Sequence, residues 1–407
     1  MKNTKCIVCN SSKYDVVDFV PNHTINLRKK SFSRDITNVI CKNCGLIYNN
    51  PKLDKHELKE LYSELAISSN NSKNCIIPIS KIEKEQFKFI LKYFPKSKIK
   101  NSTILDVGCS FGNFLKLFYD LGGKVFGIEP SISDASYAKK INHVKIIQNF
   151  FETTKNSIEK FDFISILYVL EHVEDPFTIL SKIYQNLKPD GLLFLEVPDS
   201  TKPFIGLDPF FTIGHFFSFT PVTLKYFLDK CGFEIIKIQK VKGFSDTLKD
   251  FSRIRIIAKK NTSNSLTINS LEYKKMFKIM NKYSHDKRIL LKKINSFLDP
   301  LIKNWNTKNK KIVIYGAGTH TAELINNTNI SKSNLIGIID KNIFFYDHKL
   351  MGYTVFPPDF EVLDIDVIII SARGWENEIY NFLKSMKLNK EIIPIYRSIN
   401  QKTKMNV

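Results

Sequence analysis

ILDVGCSFGNFLKLFYDLGGKVFGIEP, residues 104–130, decides the fold. Ile104 to Val107 reads as a buried strand that delivers the chain into Gly108-Cys109-Ser110-Phe111-Gly112. Two glycines in such a turn permit a tight backbone and let a ligand approach the main chain closely. Asn113 to Tyr119 then reads as a helix, and Lys124 to Ile128 as a second strand that ends at Glu129-Pro130. The spacing Asp-x-Gly-x-x-x-Gly is not the Gly-x-Gly-x-x-Gly of dinucleotide binding, so a different ligand is expected. Glu129 stands where a carboxylate accepts hydrogen bonds from both hydroxyls of a ribose, and Asp106 stands where the amino group of an amino-acid moiety would sit. The two acids suit the two ends of one nucleoside–amino-acid ligand. A doubly wound domain whose glycine turn is only structural is the competing reading.

Outward from this segment, strands and helices alternate from Thr103 to Ala258 through VKIIQ, FDFISIL, GLLFLEV, FEIIKIQ and RIRIIA. Such alternation predicts a mostly parallel sheet covered by helices on both faces. Asn261 to Ser265 reads as a polar linker and Leu271 to Trp305 as a lysine-rich amphipathic helical bridge. A second α/β pattern begins at Lys311: KKIVIYGAG runs into a glycine turn, TAELINN is a helix, LIGIID ends in Asp340, and DVIIIS precedes a helix around Glu376 to Lys384. Gly316, Gly318 and Asp340 therefore form a second nucleotide-binding-like geometry, with a helix N-terminus facing a phosphate. Ala322 or Glu323 occupies the neighbourhood of the missing third glycine, and an empty scaffold is the alternative.

Cys6-Ile-Val-Cys9 and Cys41-Lys-Asn-Cys44 are two CxxC knuckles, each able to wrap two thiolates around one side of a tetrahedral ion. The 31 residues between them leave room for an inserted hairpin. Four thiolates close the coordination sphere, so structural zinc is expected; a redox CxxC would precede a helix, whereas Gly45 to Tyr48 reads as a strand. Cys75, Cys109 and Cys231 lack metal spacing. Before the glycine turn, Leu58, Leu61 and Leu65 stand at helix spacing, followed by a polar patch from Ser68 to Lys73.

The formal charge of +21 suits a polyanion. The lysines are nevertheless spread along the whole chain, so nucleic acid is not the expected partner, while an anionic, nucleotide-linked substrate is compatible. The opening MKNTKCIVCN lacks the apolar core of a signal peptide, and no run approaches the roughly 18 apolar residues that span a bilayer. A soluble cytoplasmic protein without membrane contact, as monomer or homodimer, is the expectation.

ILDVGCSFGNFL with GIEP resembles the first two motifs of class I S-adenosylmethionine-dependent methyltransferases. FDFISILYVLEHVEDP, LKPDGLLFLEVPD and GHFFSFTPVTLKYFLDKCGFEI are similar to later segments of the subgroup acting on small molecules and sugars. The likeness covers roughly residues 100 to 258, and VICKNCGLIYNNP resembles the N-terminal zinc module of bacterial sugar methyltransferases. The resemblance implies an α/β protein of three parts: a zinc-binding module (1–60), a Rossmann-like class I methyltransferase domain (101–260) and a Rossmann-like C-terminal domain (306–407). A helical connector (61–100) and a helical linker (261–305) join them. It further implies that Asp106, Gly108, Cys109, Ser110, Gly112, Glu129 and Pro130 bind S-adenosylmethionine, with Phe150 and Phe151 near adenine and Leu167 and Tyr168 closing the site.

Methyl transfer is an in-line displacement at a sulfonium, so a hydroxyl acceptor needs alignment and a base. His215 is the preferred base, with Phe210, Phe211, Phe216 and Phe217 as an apolar lid around it; His172 is the second candidate, at the start of a helix beside Glu174 and Asp175. Sugar C-methyltransferases of this domain order carry a tyrosine and a glutamate just ahead of the equivalent histidine, where this chain has Thr212 and Gly214. That departure favours O-methylation of a sugar or nucleotide-linked sugar in polysaccharide or secondary-metabolite synthesis, with Gly316, Gly318 and Asp340 binding the nucleotide part. Methylation of RNA or another non-sugar acceptor is the alternative; the chain lacks an Asn/Asp-Pro-Pro-Tyr-like amine-methylation motif, with LEHVEDP in its place.

Overall fold

The computed structural model describes residues 4–26, 31–53, 56–57, 76–154, 159–243, 250–261, 269–342, 345–346, 348–359 and 363–405. The expected helix through Leu58, Leu61 and Leu65, the polar patch after it and Cys75 lie outside these residues. Two compact units form: residues 1–17, 38–204 and 214–279 make the first, and 18–37, 205–213 and 280–407 the second. This partition differs from the successive segments read along the sequence, because two short stretches, 18–37 near the N-terminus and 205–213 at mid-chain, group with the C-terminal part. Among the described residues no helix is long and apolar enough to cross a membrane.

Strands β1 (Tyr14–Asn26) and β2 (Ser31–Cys41) occupy the span between the CxxC pairs, β3 (Ile47–Asn49) pairs with β2, and β9 (Phe217–Ser218) completes the order β1-β2-β3-β9. Each knuckle closes on the same backbone bond: Asn10 N–H donates to the Cys6 carbonyl (2.8 Å) and Gly45 N–H to that of Cys41 (2.9 Å).

The first unit is built on seven strands. β4 (Thr103–Val107), β5 (Lys124–Ile128), β6 (Lys145–Ile147), β7 (Phe161–Leu167) and β8 (Leu187–Pro198) run parallel, while β10 (Phe233–Lys242) and β11 (Ser252–Lys260) are antiparallel additions. The order is β10-β11-β8-β7-β4-β5-β6. All five residues of β4 are buried, as an interior strand of a parallel sheet requires. From β4 the chain moves outward to β5 and β6, then returns to the other side of β4 as β7. The crevice beyond the C-terminal ends of β4 and β7 is thus a topological switch point, where open α/β sheets bind ligands.

The helices are set by their caps. α1 (Lys81–Ile90) opens with a capping box, in which Glu83 N–H donates to Ser80 Oγ (3.2 Å) and Ser80 N–H to the Glu83 carboxylate (2.6 Å). The short α2 (Lys96–Ile99) follows, α3 (Asn113–Tyr119) starts at Gly112 in the left-handed region, and Ser131 caps α4 (Ile132–Ile141). Asp175 caps α5 (Pro176–Asn186), and Thr220 caps α6 (Pro221–Lys230), each with proline in the first turn. Phe89, Phe114, Phe118, Phe163 and Phe194 pack one face of the sheet against α1 and α3.

α7 (Ser270–Thr307) runs for 38 residues. It is more than the connector expected from sequence, since Ile294, Phe297, Leu298, Ile302 and Trp305 lie in the core of the second unit. That unit carries β12 (Ile312–Tyr315), α8 (Thr319–Asn327), β13 (Leu335–Ile339), β14 (Lys349–Leu350), β15 (Tyr353–Phe356), β16 (Val367–Ile370), α9 (Glu376–Ser385), β17 (Glu391–Pro394) and α10 (Ile395–Met405). Its sheet order β14-β15-β13-β12-β16-β17 is parallel except at the β14 edge, with a switch point between β12 and β16.

Candidate active site

At the switch point of the first unit, Gly108 and Gly112 have φ of +73° and +72°. A Cβ on Gly108 would come within 2.4 Å of Val169 Cγ2, and one on Gly112 within 2.8 Å of Val144 Cγ2, so both conformation and space demand glycine. Gly108 N–H donates to the Ile128 carbonyl (2.8 Å), tying the turn to the neighbouring strand. Cys109 turns its thiol inward to the β5 backbone and leaves the turn its main chain.

Glu129 is buried, and its two oxygens accept from Ser110 N–H (2.9 Å) and Ser131 N–H (2.8 Å). Carboxylate oxygens have lone pairs to spare after these bonds, so two ligand hydroxyls still find acceptors. Burial raises its pKa. Ser110, itself at positive φ, donates its hydroxyl to Asp134 (3.0 Å). Asp106 accepts from Ser165 Oγ–H (2.6 Å), and burial pushes its carboxyl up to about 7. Pro130 follows Glu129 half-buried, and Leu167 and Tyr168 line the other side of the crevice, also half-buried.

The aromatic pair after β6 splits. Phe150 is 37% exposed, whereas Phe151 is buried in the core beside Ile128 and Ile179, under the Lys182 ammonium at 5.1 Å from its ring centroid. Lys182 also donates to the carbonyls of Phe151, Glu152 and Thr154, which fixes this turn. Of the two rings, Phe150 is the one presented at the surface.

The two histidines come together. Their ring centroids are 4.8 Å apart, and His172 Nδ1 lies 2.8 Å from the Gly214 carbonyl, so Nδ1–H donates and Nε2 carries the lone pair. Burial lowers both pKa values, that of His215 to about 3 with His172 adding to the effect; both rings are neutral at neutral pH. His172 ends a 3-10 turn, Leu170–His172, and the following helix starts at Pro176 with Asp175 as its cap, which corrects the helix-start expectation. Glu171 is buried, its carboxyl is pushed up to about 8, and it contributes with the two histidines a group of possible metal ligands within 4.8 Å of one another. The expected aromatic lid is core instead: Phe216 and Phe217 are buried in the first unit, and Phe210 and Phe211 are buried in the second.

Cys6, Cys9, Cys41 and Cys44 bring four sulfurs within 4.8 Å of one another, with Cys6–Cys44 and Cys9–Cys41 both at 3.4 Å. Disulfides need about 2.0 Å, and these cysteines are free. A tetrahedral ion with bonds of about 2.3 Å sets its sulfurs near 3.8 Å apart, so the cluster fits a metal after small adjustment.

The second unit repeats the logic of the first glycine turn. Gly316 (φ +114°) donates its N–H to the Ile339 carbonyl (2.7 Å), and a Cβ there would meet the Ser371 carbonyl at 2.8 Å. Asp340 accepts from Ala317 N–H and from Asn342 N–H, both at 2.7 Å, as Glu129 does from Ser110 and Ser131. A Cβ on Gly318 would meet nothing within 4 Å, and α8 has no side-chain cap. Glu323, in the neighbourhood of the missing third glycine, is buried against His23 Nδ1 at 2.7 Å.

Residues 79–238 match the family model described as a methyltransferase domain. These residues form a methyltransferase domain with an α/β Rossmann-like fold. Residues 308–393 match the model described as C2185-like, N-terminal. Among curated relatives, the mitochondrial ubiquinone biosynthesis O-methyltransferase of Bos taurus is 34% identical over 117 residues, which is 26% of this chain and 32% of that protein. The ubiquinone biosynthesis O-methyltransferase of Actinobacillus pleuropneumoniae is 34% identical over 108 residues, 24% of this chain and 46% of that one. The chain thus spans about a third to a half of the length of these relatives. Among solved structures, the 1,6-didemethyltoxoflavin-N1-methyltransferase of Burkholderia thailandensis aligns with a TM-score of 0.42 at 18% identity, over 56% of this chain and 96% of that one.

Sequence reasoning missed Glu196 and Arg253, which bond the Tyr168 hydroxyl, and Arg255, which pairs with Glu196 and with Glu85 of α1. The signal was available: Arg253 and Arg255 share strand parity with the apolar Ile257, and Glu196 shares it with Phe194.

Proposed function

We propose that this chain transfers a methyl group from S-adenosylmethionine to a hydroxyl of a small molecule, a sugar or nucleotide-linked sugar. The observation that carries the methyl donor is the switch-point crevice of the first unit, where a glycine turn lies between two buried carboxyls, Asp106 and Glu129, suited to the amino-acid and ribose ends of the cofactor. Bound there, the cofactor supplies an electrophilic methyl group. His215, neutral and next to His172, takes the acceptor's proton, and His172 is oriented by the Gly214 carbonyl. O-methylation is supported by Thr212 and Gly214 standing where C-methylating enzymes carry tyrosine and glutamate, and by the O-methyltransferase names of the curated relatives. Zinc in the Cys6–Cys9–Cys41–Cys44 cluster is assigned a structural role, since four thiolates leave no open position.

For the acceptor, the uncapped N-terminus of α8, the open space at Gly318 and the Asp340 carboxylate suit the phosphates and ribose of a nucleotide-sugar. A non-sugar acceptor is the second reading, favoured by relatives named for ubiquinone biosynthesis. Thermal stabilisation by S-adenosylhomocysteine, alone and with a nucleotide-sugar panel, separates these claims. Stabilisation by the first ligand supports the donor; a nucleotide-sugar effect that Asp340→Ala abolishes supports the acceptor. No response to any nucleotide-sugar leaves the non-sugar reading.

A further inference from the structure

Two guanidinium groups lie almost wholly inside the first unit. Arg253 and Arg255 are 1% and 2% exposed, on β11, and they share the fully buried carboxylate of Glu196 on the neighbouring β8. Arg255 Nε donates to Glu196 Oε2 (2.5 Å); Arg253 Nη1 stands 3.4 Å from Oε1, which also accepts from Gln86 Nε2 (3.1 Å). Glu85 on α1, half-exposed, completes charge balance with contacts of 3.2 Å to Arg253 and 3.3 Å to Arg255. Burial of three charges, Arg253, Arg255 and Glu196, is costly and a poor source of stability by itself, which points to a role beyond packing.

The cluster ends on Tyr168. This residue has φ +57°, a conformation L residues avoid, at the first position after β7. Glu196 grips it at both ends: the Tyr168 N–H donates to the Glu196 carbonyl (2.9 Å), and its hydroxyl donates to Glu196 Oε1 (2.5 Å). Arg253 Nη1 donates to the same hydroxyl (3.4 Å). The next residue is Val169, whose Cγ2 occupies the space a Cβ on Gly108 would need. The backbone at Tyr168 therefore sets how Val169 bears on the glycine turn.

We propose that Glu196 and Arg253 are positioning residues for the cofactor pocket, holding Tyr168 in its left-handed conformation so that Val169 seats against the Gly108 turn. This rests on the reading of that turn as the S-adenosylmethionine site. It assigns the arginine pair no contact with the cofactor; the effect passes through Tyr168.

The test is a double-mutant cycle on the full chain, reading the Kd of S-adenosylhomocysteine by calorimetry for Arg253→Met, Tyr168→Phe and the double variant. Arg253→Met removes one cation while Glu196 keeps Arg255 and Gln86, so no buried charge is stranded. Each single change is expected to weaken binding about tenfold, and the double variant no more than the weaker single, because both break one link. Arg253→Lys, which keeps a cation and a donor, should recover part of the loss. Binding by Arg253→Met within about twofold of wild type, or effects that multiply in the double variant, overturns the proposal. If Arg253→Met does not fold, Arg253→Lys with Tyr168→Phe gives the same cycle. Wild type that fails to bind S-adenosylhomocysteine removes the cofactor reading itself and this inference with it, whereas tight wild-type binding with an inert Arg253→Met removes only the inference.

Discussion

Replacing Asp106 by asparagine should make the ligand-free protein more stable at about pH 8 while weakening its hold on the cofactor. Burial raises this carboxyl from 3.8 to about 7, so between those values the folded state keeps a proton the unfolded state has lost. Stability therefore falls as pH rises through this window, and above about pH 7 the full cost of the buried charge is present. The distance from 3.8 to about 7 corresponds to about 4 kcal/mol at most. Asparagine removes that cost but buries an amide with a donor to satisfy, which returns roughly 1–3 kcal/mol. A net gain of about 2 kcal/mol, or about 5 °C in Tm at about pH 8, is expected, shrinking towards acid pH. Binding moves the other way, since the ammonium of S-adenosylhomocysteine needs an ionised partner. Wild-type affinity should rise about tenfold from about pH 6 to about pH 8 as Asp106 ionises. Asp106→Asn should lose that slope and bind roughly 10–100-fold more weakly at the upper pH. Differential scanning calorimetry and titration calorimetry at the two pH values read both effects. A variant that is less stable at about pH 8, or that binds as wild type does, refutes the placement of Asp106 beside the ligand's amino group.

Three further outcomes follow from named contacts. Gly108→Ala forces a Cβ to 2.4 Å from Val169 at φ +73°, and should cost about 1–3 kcal/mol in denaturant unfolding together with measurable loss of S-adenosylhomocysteine binding. The purified protein should carry one zinc per chain by elemental analysis, and Cys41→Ser should lose it with a lowered Tm; a metal-free wild type that gains no stability from added zinc contradicts the structural assignment. His215→Ala should reduce methyl transfer about 10²–10⁴-fold with cofactor affinity unchanged, and transfer at the wild-type rate would remove His215 as the base.

Much of the first unit was legible because local chemistry there is decisive. A glycine at positive φ, a short, mostly apolar strand buried along its whole length and an acidic strand end each have one cheap structural solution, and residues 104–130 combine all three. The CxxC pairs were legible for the same reason, since the knuckle is closed by bonds within a few residues of each cysteine. What sequence left open depends on distant packing. Phe150 and Phe151 are identical in kind, and only the turn fixed by Lys182 decides which ring is buried. Phe210, Phe211, Phe216 and Phe217 read as a lid because the burial of a loop aromatic is set by partners far along the chain, such as Tyr283 beside Phe211. The long helix α7 read as a connector because its charged face is evident in the sequence, whereas Ile294 and Trp305 acquire meaning only with the strands they cover. The arginines of β11 were passed over because alternation with isoleucine suggests a solvent-facing side; Ile257 shares their parity, and β8 and α1 supply the carboxylates that let the two cations lie there.

Titration of S-adenosylhomocysteine into wild type and Glu129→Gln decides whether residues 104–130 hold the methyl donor. Wild type should show saturable one-site binding. Binding should be weakened by about tenfold or more in the variant, where a carboxylate that accepts from both ribose hydroxyls becomes an amide with one acceptor. Absence of binding to the wild type, or equal affinity in the two proteins, would contradict the assignment of residues 104–130 to the methyl donor.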